Sequence, residues 1–275
     1  FILYTGYKAG FKVNPEYCKY ALAFNIPLLP HYLSMYVLSS SDRIMITKMV
    51  NLSATAIYSV SYTVASVISI LWQSIDASLS PWIYEKLDKN EEVSVREVTG
   101  KVLLIFAAAC LFCTLFAPEI MKVLAPEEYA SGIYVIPPVT AGVFFTAMYS
   151  VYMRVELFHK QSGFATIATS IAALANIILN YVFIRLFGAV AAGYTTMVCY
   201  ALLALLHYIN IKVKHYDSAF DNKRFLVIAI IVVFATCFIS LTYSLNWIRY
   251  ALIAVGIVTV IIKRNNIISA VRMKR

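Results

Sequence analysis

Charge is what this sequence has least of. Asp, Glu, Lys and Arg make up 13% of its 275 residues, about half of the roughly one quarter usual in a soluble domain. Glycine and proline are also sparse, at 9 and 8 residues, and no glycine-rich loop of the kind that cradles phosphate occurs. No His, Cys, Asp and Glu group has metal-ligand spacing, and no nucleophile stands at a recognisable distance from a base. Neither a cofactor nor a metal nor a catalytic residue is therefore expected. Nor is there a stretch of about ten alternating residues, the mark of a membrane β-strand. The five cysteines lie mostly within apolar runs. Cys110 and Cys113 share a Cys-x-x-Cys spacing, but one turn apart in an uncharged segment they read as small core hydrophobes. The sequence has no initiator Met and no signal-peptide pattern. Phe1-Ile2-Leu3-Tyr4 reads as the tail of an interrupted apolar segment, so the chain is expected to be the later part of a longer protein.

What the sequence has in quantity is apolar surface: 61% of its residues are hydrophobic. A helix crossing a bilayer needs about 20 apolar residues, and eight stretches qualify, near 20–41, 54–83, 102–121, 133–154, 164–184, 189–209, 225–243 and 247–262. Only helices or closed barrels satisfy their own backbone in lipid, so the expected fold is an all-α membrane protein, a polytopic bundle of about eight transmembrane helices. Proline at 27, 30 and 81 is expected to kink or stop the first two spans.

Charge gives the direction. If the chain starts inside, every one of its 23 Lys and Arg residues faces the cytoplasm except Arg43, Lys48, Lys122, Arg185 and Arg249. That asymmetry fits the positive-inside rule and places both ends in the cytoplasm. The net charge of +9 is thus a topology signal, and no nucleic-acid partner is expected.

The polar residues inside the spans are patterned. At 100° per residue Thr55, Tyr58, Tyr62, Ser66, Ser69, Gln73, Asp76 and Ser80 fall within an arc of about 80°. Hydroxyl faces can glue membrane helices together, but Tyr, Gln and Asp are large for a close seam. The stripe is read as cavity-lining, with glue as the alternative. In the first span His31, Met35, Leu38 and Asp42 share a face, and His31 and Asp42 are read as lining the same cavity or substrate path, with a satisfied interior histidine the alternative for His31. Arg43 diverges from Asp42 by about 100°. Arg43 and Lys48 either snorkel to the interface or enter a cavity. Asn176 and Asn180, near Thr166, Thr169 and Ser170 on one side of the fifth span, either bond a neighbouring helix or border a cavity. Arg154, Glu156, His159 and Lys160 read as a solvated helix cap, with a site as the alternative. The last two spans, nearly free of strongly polar groups, read as peripheral and lipid-facing.

These residues resemble a known family. Leu28-Leu29-Pro30-His31-Tyr32-Leu33, Ser41-Asp42-Arg43-Ile44-Met45-Ile46 and Ala56-Ile57-Tyr58-Ser59-Val60-Ser61-Tyr62 are similar to the middle of the bacterial polysaccharide flippases. Pro81-Trp82, the stretch Ala125 to Ser131 with Ile136-Pro137-Pro138, Asn180 to Ile184 and Gly188 to Gly193 follow in the same order. The resemblance covers roughly 18–210. Such proteins belong to the superfamily that also holds multidrug antiporters and lipid II flippases. It implies two six-helix lobes around a central cavity, alternating access, and two extra helices. Residues 20–209 would then be the C-terminal lobe, preceded by a cytoplasmic segment or span end at 1–19. A cytoplasmic loop at 210–224, two additional helices at 225–263 and a basic tail at 264–275 would follow.

The implied substrate is an undecaprenyl-linked oligosaccharide moved across the inner membrane for O-antigen, capsule or exopolysaccharide. The implied partners are membrane lipid, the missing N-terminal lobe and polysaccharide polymerase machinery. Arg43, Lys48 and Arg154 would supply contacts to the anionic head group. A drug antiporter using Asp76 and His31 as proton carriers is the alternative within the superfamily. A repeat-unit polymerase is the alternative outside it.

Overall fold

The computed structural model describes residues 14–262, together with 6–8 and 10. Expectations for Phe1 to Tyr4 and for the tail at 264–275 fall outside the described residues. Between residues 14 and 262 the α-helices are α1 Pro15–Asn25, α2 Leu29–Met49, α3 Leu52–Asp88, α4 Glu92–Leu115, α5 Ala117–Leu124, α6 Ile136–Phe158, α7 Ser162–Phe187, α8 Ala191–Val213, α9 Asn222–Leu241 and α10 Asn246–Ile262. Short 3₁₀ turns at Ile26–Leu28, Glu127–Val135 and Asp217–Ala219 join some of them.

Local chemistry sets the boundaries. Asn14 caps α1, its side chain accepting from the Glu16 amide at 2.9 Å, with Pro15 in the first turn. Asn51 caps α3 by accepting from the Ala54 amide at 2.7 Å, which satisfies one of the donors every helix start leaves open. Pro30 sits in the first turn of α2, where its missing N–H costs nothing. The first expected span, 20–41, is therefore divided. The helix that carries Asp42 begins at Leu29 and runs on to Met49, so Asp42 lies well inside it rather than at its end. Pro81, by contrast, does not stop α3; Leu79 and Ile83 on either side are fully buried, and their packing holds the helix through the lost backbone bond.

Among the described residues six helical stretches are long and apolar enough to cross a membrane, namely α3, α4, the stretch Glu127–Phe158, α7, α8 and α9. The expected count of eight is not reached on that measure. The 21-residue α2 is diluted by Ser34, Ser39, Ser40, Ser41, Asp42, Arg43 and Lys48, and α10 has 17 residues. With α3 alone extending about 55 Å at 1.5 Å per residue, the chain is a multi-pass, all-helical membrane protein.

The axis of the bundle is α6, buried along most of its length and packed on α3, α4, α8 and α9. Close approach to α8 depends on Gly142: a Cβ there would stand 3.3 Å from Tyr200 Cδ2. On the far side of α8, α7 carries α2. Outward residues such as Ile167, Leu174, Phe187, Leu226, Phe234 and Leu241 are exposed and apolar, as a lipid-facing belt requires.

The final pair is less detached than its composition implies. α9 packs on both α4 and α6. Arg249 at the start of α10 is 2% exposed and donates to Glu119 at 2.6 Å. Tyr243 beside it donates to the Thr114 carbonyl at 2.8 Å. An ion pair partly withdrawn from water thus fastens α10 to the junction of α4 and α5.

Candidate functional site

The polar residues of α2 do two different things. His31, Leu38, Asp42 and Ile46 form its buried face. That face meets α7, and the two helices run parallel. His31 Nδ1 lies 3.1 Å from Thr169 Oγ1, Ser34 Oγ lies 3.1 Å from Ser170 Oγ, and the Ser41 hydroxyl donates to Asn176 at 2.8 Å. The ladder ends on Asp42, which is fully buried. Its carboxylate accepts from the Tyr58 hydroxyl of α3 at 2.5 Å, the Asn180 amide of α7 at 2.8 Å and the Thr196 hydroxyl of α8 at 2.9 Å.

The shell around Asp42 is itself tied. Asn176 donates to Thr196 at 3.0 Å and accepts from Asn180 at 3.1 Å, and Thr195 donates to the Asn180 carbonyl oxygen. Four helices converge on one carboxylate. A buried charge is tolerable when it is hydrogen-bonded, and here each oxygen has a donor and the donors come from three different helices. In this conformation Asp42, Tyr58 and His31 brace the bundle instead of lining an open face. Asn176 and Asn180 are helix-to-helix ties.

The remainder of the α3 stripe is different. Tyr62, Ser66, Ser69 and Asp76 are half-buried and Gln73 is exposed. They lie on the flank of α3 beside its buried face, which carries Ser61, Ala65, Trp72, Leu79 and Ile83. Arg43 joins this flank rather than the head groups beyond it. Its guanidinium stands 4.7 Å above the Tyr62 ring and donates to the Ser39 carbonyl at 3.3 Å, a cation–π contact. Lys48 is exposed in the last turn of α2.

At the other end of the stripe Asp76 receives both arms of the Arg154 fork from α6, Nε at 3.3 Å and Nη2 on the second oxygen. With side chains 16% and 28% exposed, the pair is bidentate and partly shielded, the strong form of the contact. Neither residue is a lone charge. The flank thus presents a cation at one end, hydroxyls and an amide along its middle, and a neutralised ion pair at the other.

A further group lay outside the sequence expectations. Glu156, read as part of a solvated cap, is fully buried against His207 of α8, 2.7 Å from Oε2 to Nδ1. The available signal was His207 itself, a lone imidazole between Leu206 and Tyr208 in an apolar run. Helix periodicity could not pair it with a Glu 51 residues away. His159, by contrast, is exposed, its ring stacked on Tyr216 at 4.0 Å. Among the described residues no three His, Cys, Asp or Glu side chains converge as a metal site would require.

Comparison with known proteins gives distant relatives. The chain is 24% identical over 214 residues to the Haloferax volcanii protein named "Probable low-salt glycan biosynthesis flippase Agl15", covering 76% of this chain and 43% of that one. It is 24% identical over 252 residues to an uncharacterized membrane protein of Methanocaldococcus jannaschii, covering 85% and 49%. It is also 27% identical over 124 residues to a protein of the Lsg locus of Haemophilus influenzae, covering 45% and 29%. No family model and no solved structure matches. The chain spans about half the length of the first two of these relatives, and its similarity is to membrane proteins, one of them named as a glycan flippase.

Proposed function

We propose that this chain is one lobe, with two accessory helices, of a flippase that carries lipid-linked oligosaccharide across the cytoplasmic membrane for surface glycan assembly. The observation that carries the reading is the flank of α3. Tyr62, Ser66, Ser69, Gln73 and the Asp76–Arg154 pair form a partly exposed polar strip on a membrane helix. Such a strip is costly against lipid and is suited to a wetted cavity that accepts sugar hydroxyls. Opposite the strip would stand the lobe that precedes this one, since the chain spans about half of its relatives.

Arg43, poised over Tyr62, and the exposed Lys48 are the cations for a diphosphate head group. Arg154 contributes less, its fork being occupied by Asp76. The lipid, undecaprenyl or a similar polyprenol, would remain in the bilayer while the lobes rock. The excess of Lys and Arg at the end bearing the Asp88–Glu92 turn would face the cytoplasm.

The antiporter alternative needs Asp76 and His31 free for exchange, and it is disfavoured because both arms of the Arg154 fork engage Asp76 and His31 is buried against Thr169. The test is disruption of the gene in its own cell, followed by restoration with wild-type or Arg43→Ala. Accumulation of lipid-linked glycan on the cytoplasmic leaflet with loss of surface glycan, restored by the wild type and not by the variant, is expected. Intact surface glycan with raised drug sensitivity would overturn the assignment.

A further inference from the structure

The node on Asp42 is complete, but the second buried node is not. Glu156 on α6 and His207 on α8 are both fully buried, with Nδ1 and Oε2 2.7 Å apart. The other carboxylate oxygen accepts from Asn210 at 2.8 Å. His207 Nε2 is buried with no hydrogen-bond partner among the described residues. The imidazole is held between the Tyr149 ring, stacked at 5.5 Å between centroids, and the Phe164 ring, edge-on at 5.6 Å.

An ionised Glu156 beside a neutral His207 leaves one net negative charge in apolar surroundings, which is costly without compensation. Among the described residues no cation forms an ion pair with Glu156 other than His207 itself. On α6, Arg154 is committed to Asp76 of α3, and Tyr149 hydrogen-bonds Met35 of α2. On α2, His31 faces Thr169 of α7, with Nδ1 3.1 Å from Oγ1. Phe164 is α7's contribution at the ring. Beyond Asn210, the loop side chains His159 and Tyr216 stack on each other. One added proton cancels the net charge, whether it rests on Nδ1 or on Oε2. A neutral imidazole protonated on Nδ1 already donates across the 2.7 Å contact; the added proton strengthens this tie between α6 and α8 by removing the uncompensated charge from it.

We propose that Glu156 and His207 together form a binding site for a single proton, and that the bound proton latches α6 to α8. The site communicates with the exposed end of the bundle through side chains. Asn210 also reaches Gln161 Oε1 at 3.4 Å, Gln161 donates to the Tyr216 hydroxyl at 3.1 Å, and Tyr216 is half-buried beside the exposed His159. The proton comes from hydronium at that end and returns to water there; no bond between heavy atoms changes. This site is independent of the strip on α3 and stands or falls apart from the flippase assignment.

The test is nitrogen-15 histidine NMR of the full chain in lipid nanodiscs. The chain has four histidines, and the His207 signal is identified by its loss in His207→Gln. In the wild type the His207 signal and the carboxyl infrared band of Glu156 change in one shared step with pH. In Glu156→Gln the proton affinity of His207 falls about tenfold or more, while His159 and His215 titrate as before.

A folded Glu156→Gln chain in which His207 titrates as in the wild type would overturn the site. So would a pair in which neither the His207 signal nor the Glu156 carboxyl band shows uptake of a proton at any pH where the chain stays folded. If Glu156→Gln fails to fold, His207→Gln reads the linkage from the other side: the Glu156 band must move away from its wild-type step, and a band that stays put refutes the proposal.

Discussion

The Tyr58 hydroxyl lies 2.5 Å from Asp42 Oδ2, and this bond closes a node to which α2, α3, α7 and α8 each contribute. Removing the acceptor orphans three donors at once, those of Tyr58, Asn180 and Thr196. Each unsatisfied buried group costs about 1–3 kcal/mol. Asp42→Ala should therefore lower stability by about 3 kcal/mol or more, and Tyr58→Phe, which removes one charge-assisted bond, by about 1.5–3 kcal/mol. Thermal melting in mild detergent decides it; an Asp42→Ala chain that melts with the wild type would refute the node's structural role.

Asp76 and Arg154 form a polar tie between α3 and α6. Because both are partly shielded, their coupling in a double-mutant cycle of Asp76→Asn and Arg154→Gln should be about 1 kcal/mol. The coupling should shrink in high salt, as it does for pairs that water still reaches. Additive single effects would show that the two do not act as a pair.

Access to the α3 flank is measurable by thiol labelling. Cys18 and Cys237 are exposed and must first be replaced by Ser. Ser69→Cys and Gln73→Cys should then react with a membrane-impermeant maleimide, whereas Val67→Cys and Leu71→Cys, exposed on the opposite apolar side, should not. Equal labelling of the two sets would remove the case for a wetted strip.

Gly132 in the turn before α6 presses against α3. A Cβ at this position would overlap Ser61 Oγ and stand 3.0 Å from Ile57 Cγ2. Gly132→Ala should destabilise the chain by about 1–3 kcal/mol, the usual cost of overpacking. Ser61→Ala, by deleting the nearer atom, should restore part of the loss. Two independent, additive effects in the melting curves would contradict this contact.

How far the sequence reaches can be judged on particular residues. Periodicity placed His31, Leu38 and Asp42 on one face, and they share it. It also grouped the α3 stripe, yet it could not separate Tyr58, which turns into the core, from Gln73, which stays exposed. Both lie within the same arc of a helix wheel; the difference arises because α2, α7 and α8 converge at the Tyr58 level of α3 and not at the Gln73 level. Arg43 diverges from Asp42 as a helix requires, but its landing on Tyr62 depends on where α3 packs.

The sequence alone determined that the chain is helical, apolar enough to enter a membrane, and asymmetric in its positive charge, because these follow from composition and from the 3.6-residue period. Tertiary structure alone decided which polar groups are satisfied. Asp42 gathers donors from Tyr58, Asn180 and Thr196, Asp76 meets Arg154, and Glu156 meets His207 across 51 residues of chain. Each pairing depends on helices meeting at a given depth and rotation. Packing around α6 sets that register, and no local pattern encodes it.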